Sequence, residues 1–168
     1  MIEINDLMEA VKGELGTLFP GEKVYVDKLP KEFKRPSAAL ECQSSESVDA
    51  NRYLVRRNVT LLLILYVEQD AYYDSSREEL NRRMDMVCAR FACGTLRVKD
   101  RHIPIRTDRG TGAPDLAAVT LGFQWVDERP GIHDPEDMED PESASIPKMQ
   151  QAEVRVGTGG DQVMKIER

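Results

Sequence analysis

Apolar residues recur at helical spacing at the start of the chain, where Leu7, Val11, Leu15 and Leu18 share one face. Asn5 is placed to cap this helix, and Asp6 and Glu9 favour the positive end of its dipole. Pro20-Gly21 ends it, because proline cannot continue a helix and glycine accepts the left-handed backbone of a helix exit. The period then switches to two. Residues 23–27 (Lys23-Val24-Tyr25-Val26-Asp27) alternate as a short strand, and a second strand runs from Ser37 to about Ser45 with Ala38, Leu40 and Cys42 on one face. Pro36 fixes where that strand begins, since proline is tolerated at a first strand residue and not in a central ladder.

The longest predicted strand spans about Tyr53 to Glu68. Its first half alternates, but Leu61-Leu62-Leu63-Ile64-Leu65-Tyr66-Val67 is apolar on both faces. Such a run predicts a central strand covered on both sides, by helices on one and by a helix or another subunit on the other. Ser75-Ser76-Arg77-Glu78 has capping-box spacing, Leu80, Met84, Val87 and Phe91 follow as a helical stripe, and Gly94 closes the helix.

Beyond it, Leu96-Arg97-Val98 and Ile103-Pro104-Ile105 flank a hairpin turn, Lys99-Asp100-Arg101-His102, and Asp108 to Pro114 has the composition of a flexible loop. Leu116 to Val126 is then a long strand with Val119, Leu121, Phe123 and Trp125 on one face, opposed by Ala118, Thr120, Gly122 and Gln124. The order α-β-β-β-α-β-β-β predicts an α+β fold: two helices packed on a largely antiparallel or mixed sheet. This domain is expected over residues 1–127. Residues 128–147 read as an acidic, proline-rich linker, with Asp134, Glu136, Asp137, Glu139, Asp140 and Glu142 crowded together. Residues 148–168 read as an extension, whose strands 152–156 and 162–166 flank Gly157-Thr158-Gly159-Gly160 as a β-hairpin. A lone hairpin is marginal in water and is expected to dock on another surface.

Composition narrows the function classes. A net charge of -7 over 168 residues, with a pI near 5.0, argues against a dedicated nucleic-acid binder. Three cysteines (Cys42, Cys88, Cys93) form neither a disulfide framework nor a zinc pattern, which predicts synthesis in a reducing compartment. The first residues lack the basic and apolar regions of a signal peptide, and the apolar run from Val59 to Val67 is too short to span a bilayer, so a soluble protein is expected.

Candidate chemistry is sparse. Cys88 and Cys93 have only His102 and His133 as possible co-ligands, so buried inert cysteine is the default reading. Gly110-Thr111-Gly112 and Gly157-Thr158-Gly159-Gly160 are not followed by Lys-Ser/Thr and do not lead from a strand into a helix, so turn chemistry explains both. The acidic cluster lacks the residue order of a calcium loop. No catalytic residue, metal or cofactor is predicted. A small hydrolase using Cys88, Cys93 or His102 is kept only as an alternative.

The basic residues carry more. Lys31, Lys34 and Arg35 precede the second strand, and Arg52, Arg56 and Arg57 open the third. If those strands pair, one sheet edge carries a cationic patch, read either as edge protection or as a docking face for an acidic neighbour, including a second copy of this chain. Phe33, Lys34, Arg35, Pro36, Arg52, Arg56 and Arg57 are therefore candidate interface residues, together with Val154, Val156, Val163 and Ile166 of the terminal hairpin.

The turn Phe33-Lys34-Arg35-Pro36, the pairs Arg52-Tyr53 and Arg56-Arg57 before an apolar strand, and the capped helix from Ser75 resemble the tail terminator (tail-completion) proteins of tailed phages and prophage-like elements of Gram-positive bacteria. The resemblance covers about Met1 to Asp127. It implies a non-enzymatic protein of the virion tail, assembled in the host cytoplasm as a homohexameric ring at the head-proximal end. Implied partners are other copies of the chain, the tail tube protein with a sheath as a further neighbour, and the head–tail connector. DNA would pass through the lumen without specific binding, and no membrane is involved. A tail-tube or head–tail joining protein is the alternative within the same class.

Overall fold

The computed structural model describes residues 2–110, 112–129, 151–155 and 163–167. The chain divides into two units, Met1–Arg129 and Pro130–Arg168. In the first, the described elements follow the predicted order: α1 (Ile4–Leu18), β1 (Lys23–Val26), β2 (Ser37–Asp49), β3 (Leu54–Tyr66), α2 (Arg77–Phe91), β4 (Thr95–Val98), β5 (Arg101–Arg109) and β6 (Ala117–Glu128). The six strands form one mixed sheet in the order β1-β2-β3-β6-β5-β4, parallel at β1–β2 and antiparallel at every other pairing.

Both helices start where side chains satisfy their free N–H groups, α1 two residues before the predicted cap and α2 one residue after it. Glu3, not Asn5, caps α1, in a reciprocal box with Asp6, whose Oδ2 accepts the Glu3 amide at 2.8 Å. Ser76, not Ser75, caps α2, and its hydroxyl accepts the Glu79 amide. Nearby polar residues compete for a cap, and the winner in each helix is the one whose carbonyl accepts the amide of the first residue of the buried stripe, Leu7 to Glu3 and Leu80 to Ser76. The stripes are Leu7, Met8, Val11 and Leu15 in α1, and Leu80, Met84, Val87 and Phe91 in α2. Past α2, Gly94 takes a φ of +76°, beyond the Ala92 cap, and its amide donates to the Phe91 carbonyl.

Several strands run longer than predicted. β2 continues past Ser45 to Asp49, with an irregularity between Cys42 and Ser44, because β3 offers pairing partners along its whole length. The β4–β5 turn is only Lys99-Asp100. Arg101 and His102 pair with Val98 and Arg97, and β5 reaches Arg109, so Asp108 and Arg109 are strand residues and not loop. β6 runs through Glu128, and the Arg129 amide donates to the Tyr53 carbonyl at 2.7 Å.

Strand alternation sorts the core. Leu61, Leu63 and Leu65 of β3, Leu40 of β2, Val119 and Leu121 of β6 and Ile103 of β5 lie on the face covered by the helices, and all are fully buried or nearly so. At about 2 kcal/mol for each fully buried leucine, this face supplies most of the drive to fold. Ion pairs fasten the layers. Arg83 of α2, itself buried, holds Glu22 in a two-pronged contact at 2.7 and 2.6 Å and stacks over the Phe19 ring. Arg90 pairs with Glu14 across the two helices, and Lys99 reaches Asp6 at 2.6 Å.

In the second unit, β7 (Gln151–Arg155) and β8 (Val163–Glu167) pair antiparallel, with Val154 opposite Met164, Arg155 opposite Val163 and Ala152 opposite Ile166. Val156, the glycine turn and the acidic cluster lie outside the described residues.

Candidate assembly surfaces

The turn from Phe33 to Pro36 is built as a clamp. Parallel pairing of β1 with the start of β2 obliges the connecting segment to run back along the strand direction. Two aromatic rings meet it there: Phe33 packs on Tyr66 at 4.7 Å between ring centroids and edge-on to Tyr25 at 6.4 Å. The Arg35 guanidinium lies 5.0 Å from the Phe33 and Tyr66 rings. It also donates to the carbonyls of Val67 (3.3 Å) and Asp115 (3.1 Å) and to the Asp115 carboxylate (3.2 Å). Only 16% of the Arg35 side chain is exposed. Burial pushes the Tyr66 hydroxyl above its ordinary range, against the pull of Arg35. Arg35 thus ties three parts of the sheet together, while Lys34 stays exposed and donates its amide to the Tyr25 hydroxyl.

The other arginines sit elsewhere. β2 and β3 do pair as a hairpin, but Ser37 faces Tyr66 while Ser47 and Val48 face Arg57 and Arg56. The two basic groups therefore occupy opposite ends of the hairpin, roughly 30 Å apart at strand rise, and do not merge into one patch. Arg52 lies over the Tyr53 ring in the exposed turn. Arg56 and Arg57 point to opposite faces: Arg56 is exposed between Val48 and Val126, and Arg57 is half-buried beside Trp125 on the helix side. Arg57 and Trp125 line a cleft of about 400 Å³ with Ile2, Asn5, Met8 and Ser45, and the buried Trp125 Nε1 has no hydrogen-bond partner among the described residues.

The sheet has a second face, which no described helix covers. Along β3 it presents Arg56, Asn58, Thr60, Leu62 and Ile64, flanked by Ala39, Glu41 and Glu46 of β2 and by Ala118, Thr120, Gly122 and Gln124 of β6. Leu62 and Ile64 are half-buried, in contrast to the fully buried leucines one residue away. Outer strand edges are also free among the described residues: β1 covers β2 only from Ser37 to Leu40, and no strand pairs with the far side of β4. Glu41, Glu46, Arg97 and Arg106, on this face at its two margins, were absent from the candidates. For Glu41, Arg97 and Arg106, alternation with the buried Leu40, Leu96 and Ile105 was the signal that could have found them; Glu46 lies in an all-exposed stretch and had none.

Burial raises the Cys88 thiol above its ordinary range, the reverse of what activates a nucleophile. Cys93 and His102 are exposed, and no group of three or more His, Cys, Asp or Glu among the described residues could hold a metal. Gly110 and Gly112 serve close backbone approach: Gly110 donates to the Ala118 carbonyl at 2.9 Å, and a Cβ on Gly112 would lie 2.6 Å from the Leu116 carbonyl oxygen. No helix among the described residues is long and apolar enough to cross a membrane.

Compared with known families, residues 6–111 match the model of a family described as phage tail terminator protein. The match runs from the first turn of α1 to the end of β5, so it takes in the clamp, the β2–β3 hairpin and α2. No curated protein matches the chain.

Proposed function

The chain belongs to the phage tail terminator protein family, a family of structural proteins that complete the virion tail, and from that premise we propose that it acts as a ring. Copies of the chain would assemble, as a hexamer, on the head-proximal end of the tail tube, stop its polymerisation and offer a surface to the head–tail connector. The neighbours in this reading are the tube protein, a sheath where one is present, and the connector, with DNA passing through the lumen without specific contacts. A net charge of -7 suits a lumen that repels phosphate.

The observation that carries the reading is the helix-free face of the sheet. Leu62 and Ile64 make the centre of β3 apolar on both sides, yet the described helices cover one side only. A ring needs heterologous surfaces, in which one patch meets a different patch of the next copy. The terminal hairpin offers a second contact: carried by residues 130–150, it would add to the adjacent subunit through the strands bearing Val154, Val163 and Ile166.

Adding the purified protein to polymerising tube protein tests the function. Electron microscopy should show tubes capped at one end by a single ring and shorter on average than without it. Filaments formed by the protein alone would instead mark it as a tube protein. Removing residues 130–168 should raise the concentration at which half the chains are assembled by about tenfold, one contact's worth of affinity. An unchanged assembly curve by light scattering would remove the hairpin from the interface.

A further inference from the structure

The helix-free face is polarised by charge from one margin to the other. At the β2 margin it carries Glu41, half-buried, and Glu46, exposed, neither with an ion-pair partner among the described residues. At the opposite margin it carries Arg97 of β4 and Arg106 of β5, both exposed. Arg106 has no described partner, and Arg97 makes one contact, from its Nε to the Lys99 carbonyl. The other charges nearby do not reverse this order. Asp49 is held by Arg129 at 2.7 Å, Lys99 by Asp6 and Arg101 by Asp127. Arg56 shares this face one strand in from the β2 margin, and Asp108 shares it on β5, two residues beyond Arg106, so the basic margin is carried by Arg97 and Arg106 towards the β4 end.

The acidic margin is also an open backbone edge. Beyond Leu40 no described strand pairs with the outer side of β2, and residues 43–49 are all exposed. Protected edges usually carry lysine or proline or end quickly. Residues 41–49, Glu-Cys-Gln-Ser-Ser-Glu-Ser-Val-Asp, have neither residue; their charges, Glu41, Glu46 and Asp49, are all acidic, so the edge repels an acidic strand and admits a basic one, with one irregularity at Cys42/Ser44. The basic margin ends in another open edge, the outer side of β4.

We propose that the outer edge of β2 in one copy docks against the β4–β5 margin of the next, setting Glu41 and Glu46 against that copy's Arg97 and Arg106. The contact is head-to-tail, because its two halves are different patches of opposite charge. Each copy retains one free margin of each kind, so the arrangement propagates and can close. The occupant is a second copy of this chain: the two complementary margins lie at opposite sides of one sheet, where no single chain can bring them together. This inference deepens the ring reading and rests on it for closure at a fixed number of copies.

Charge reversal tests it on the full chain. One variant carries Glu41→Lys and Glu46→Lys, the other Arg97→Glu and Arg106→Glu, and native mass is measured for each alone and for an equimolar mixture. Each variant alone should fall to monomer. The mixture should regain the wild-type mass with the two chains alternating, since the basic β2 margin of the first meets the acidic β4–β5 margin of the second. Regained mass also shows that both variants are folded. Wild type that assembles while both variants keep its mass overturns the edge contact and leaves the ring standing. Loss of mass in both variants, each with native circular dichroism, without recovery in the mixture also overturns the pairing. A wild type that stays monomeric at every concentration and on tube ends overturns both readings.

Discussion

The two faces of the sheet share the same strands and differ in what lies over them. Along β3, Leu61, Leu63 and Leu65 point at the helices and are wholly buried, while Leu62 and Ile64 point the other way and are only half-buried. The covered face is held by dispersion and the hydrophobic effect, with ion pairs such as Arg83–Glu22 closing its rim. The other face combines a small apolar centre with charged margins, a composition suited to an interface core and its rim. One strand thus serves folding with its odd residues and remains available for assembly with its even ones.

Breaking the covered face should have the largest effect. Leu63→Ala leaves a cavity in a site with no exposure, and should cost the free chain about 3 kcal/mol or more. Denaturant unfolding, at a concentration low enough to keep the chain monomeric, measures this directly. Next comes the clamp. Arg35→Ala removes two ring contacts and three hydrogen bonds from a guanidinium that is largely buried, with an expected loss of about 2 kcal/mol. Arg35→Lys should recover little of it, since an ammonium cannot reach the Val67 and Asp115 acceptors with a planar fork while stacking on two rings.

A third prediction concerns the end of the covered face, at Asp127. Burial drives its carboxyl up, but the amides of Ile2 and Glu128 and the Arg101 guanidinium more than offset this, and the group lies below its ordinary 3.8. A carboxylate lowered in the folded state adds stability that is present above 3.8 and is lost as pH falls through the folded value. Asp127→Asn should therefore be less stable than wild type by about 1 to 2 kcal/mol at pH 7. That gap should narrow in melts recorded below the ordinary carboxylate range. A gap that stays constant across pH would locate the loss in packing and not in the charge.

The covered face was legible in the sequence because burial imposes periodicity. Leu80, Met84, Val87 and Phe91 declare a helix, and Val119, Leu121, Phe123 and Trp125 a strand, without knowledge of any partner. The polar details were less so. Ser76 and not Ser75 caps α2, and Glu3 and not Asn5 caps α1, since neighbouring residues with similar capping chemistry differ only in register. The role of Arg35 was hidden for a different reason. Its partners, Tyr66, Val67 and Asp115, are 31 to 80 positions away in the chain, and no local pattern encodes such a meeting. The basic residues looked like one patch because they flank one hairpin. Antiparallel pairing puts the flanks of β2 at opposite ends, and the register needed to see this comes only from the sheet.

The smallest effect on the free chain, and the sharpest on the comparison, belongs to the uncovered face. Leu62→Thr combined with Ile64→Thr puts a β-branched residue at both positions, retains strand propensity and exchanges apolar surface that is only half-buried. The free chain should lose no more than about 1 kcal/mol, far less than Leu63→Ala alone, because little transfer free energy is at stake and no enclosed cavity forms. Assembly should respond in the opposite order. If a neighbouring copy reaches over this face beside the β2 edge, the pair of threonines places hydroxyls against it and should weaken assembly beyond their effect on unfolding. Sedimentation of the double variant beside Leu63→Ala separates the two roles: the first should unfold nearly as wild type does yet dissociate more readily. If both variants lose stability in parallel and the double variant assembles as tightly as wild type, the even residues of β3 belong to the fold alone.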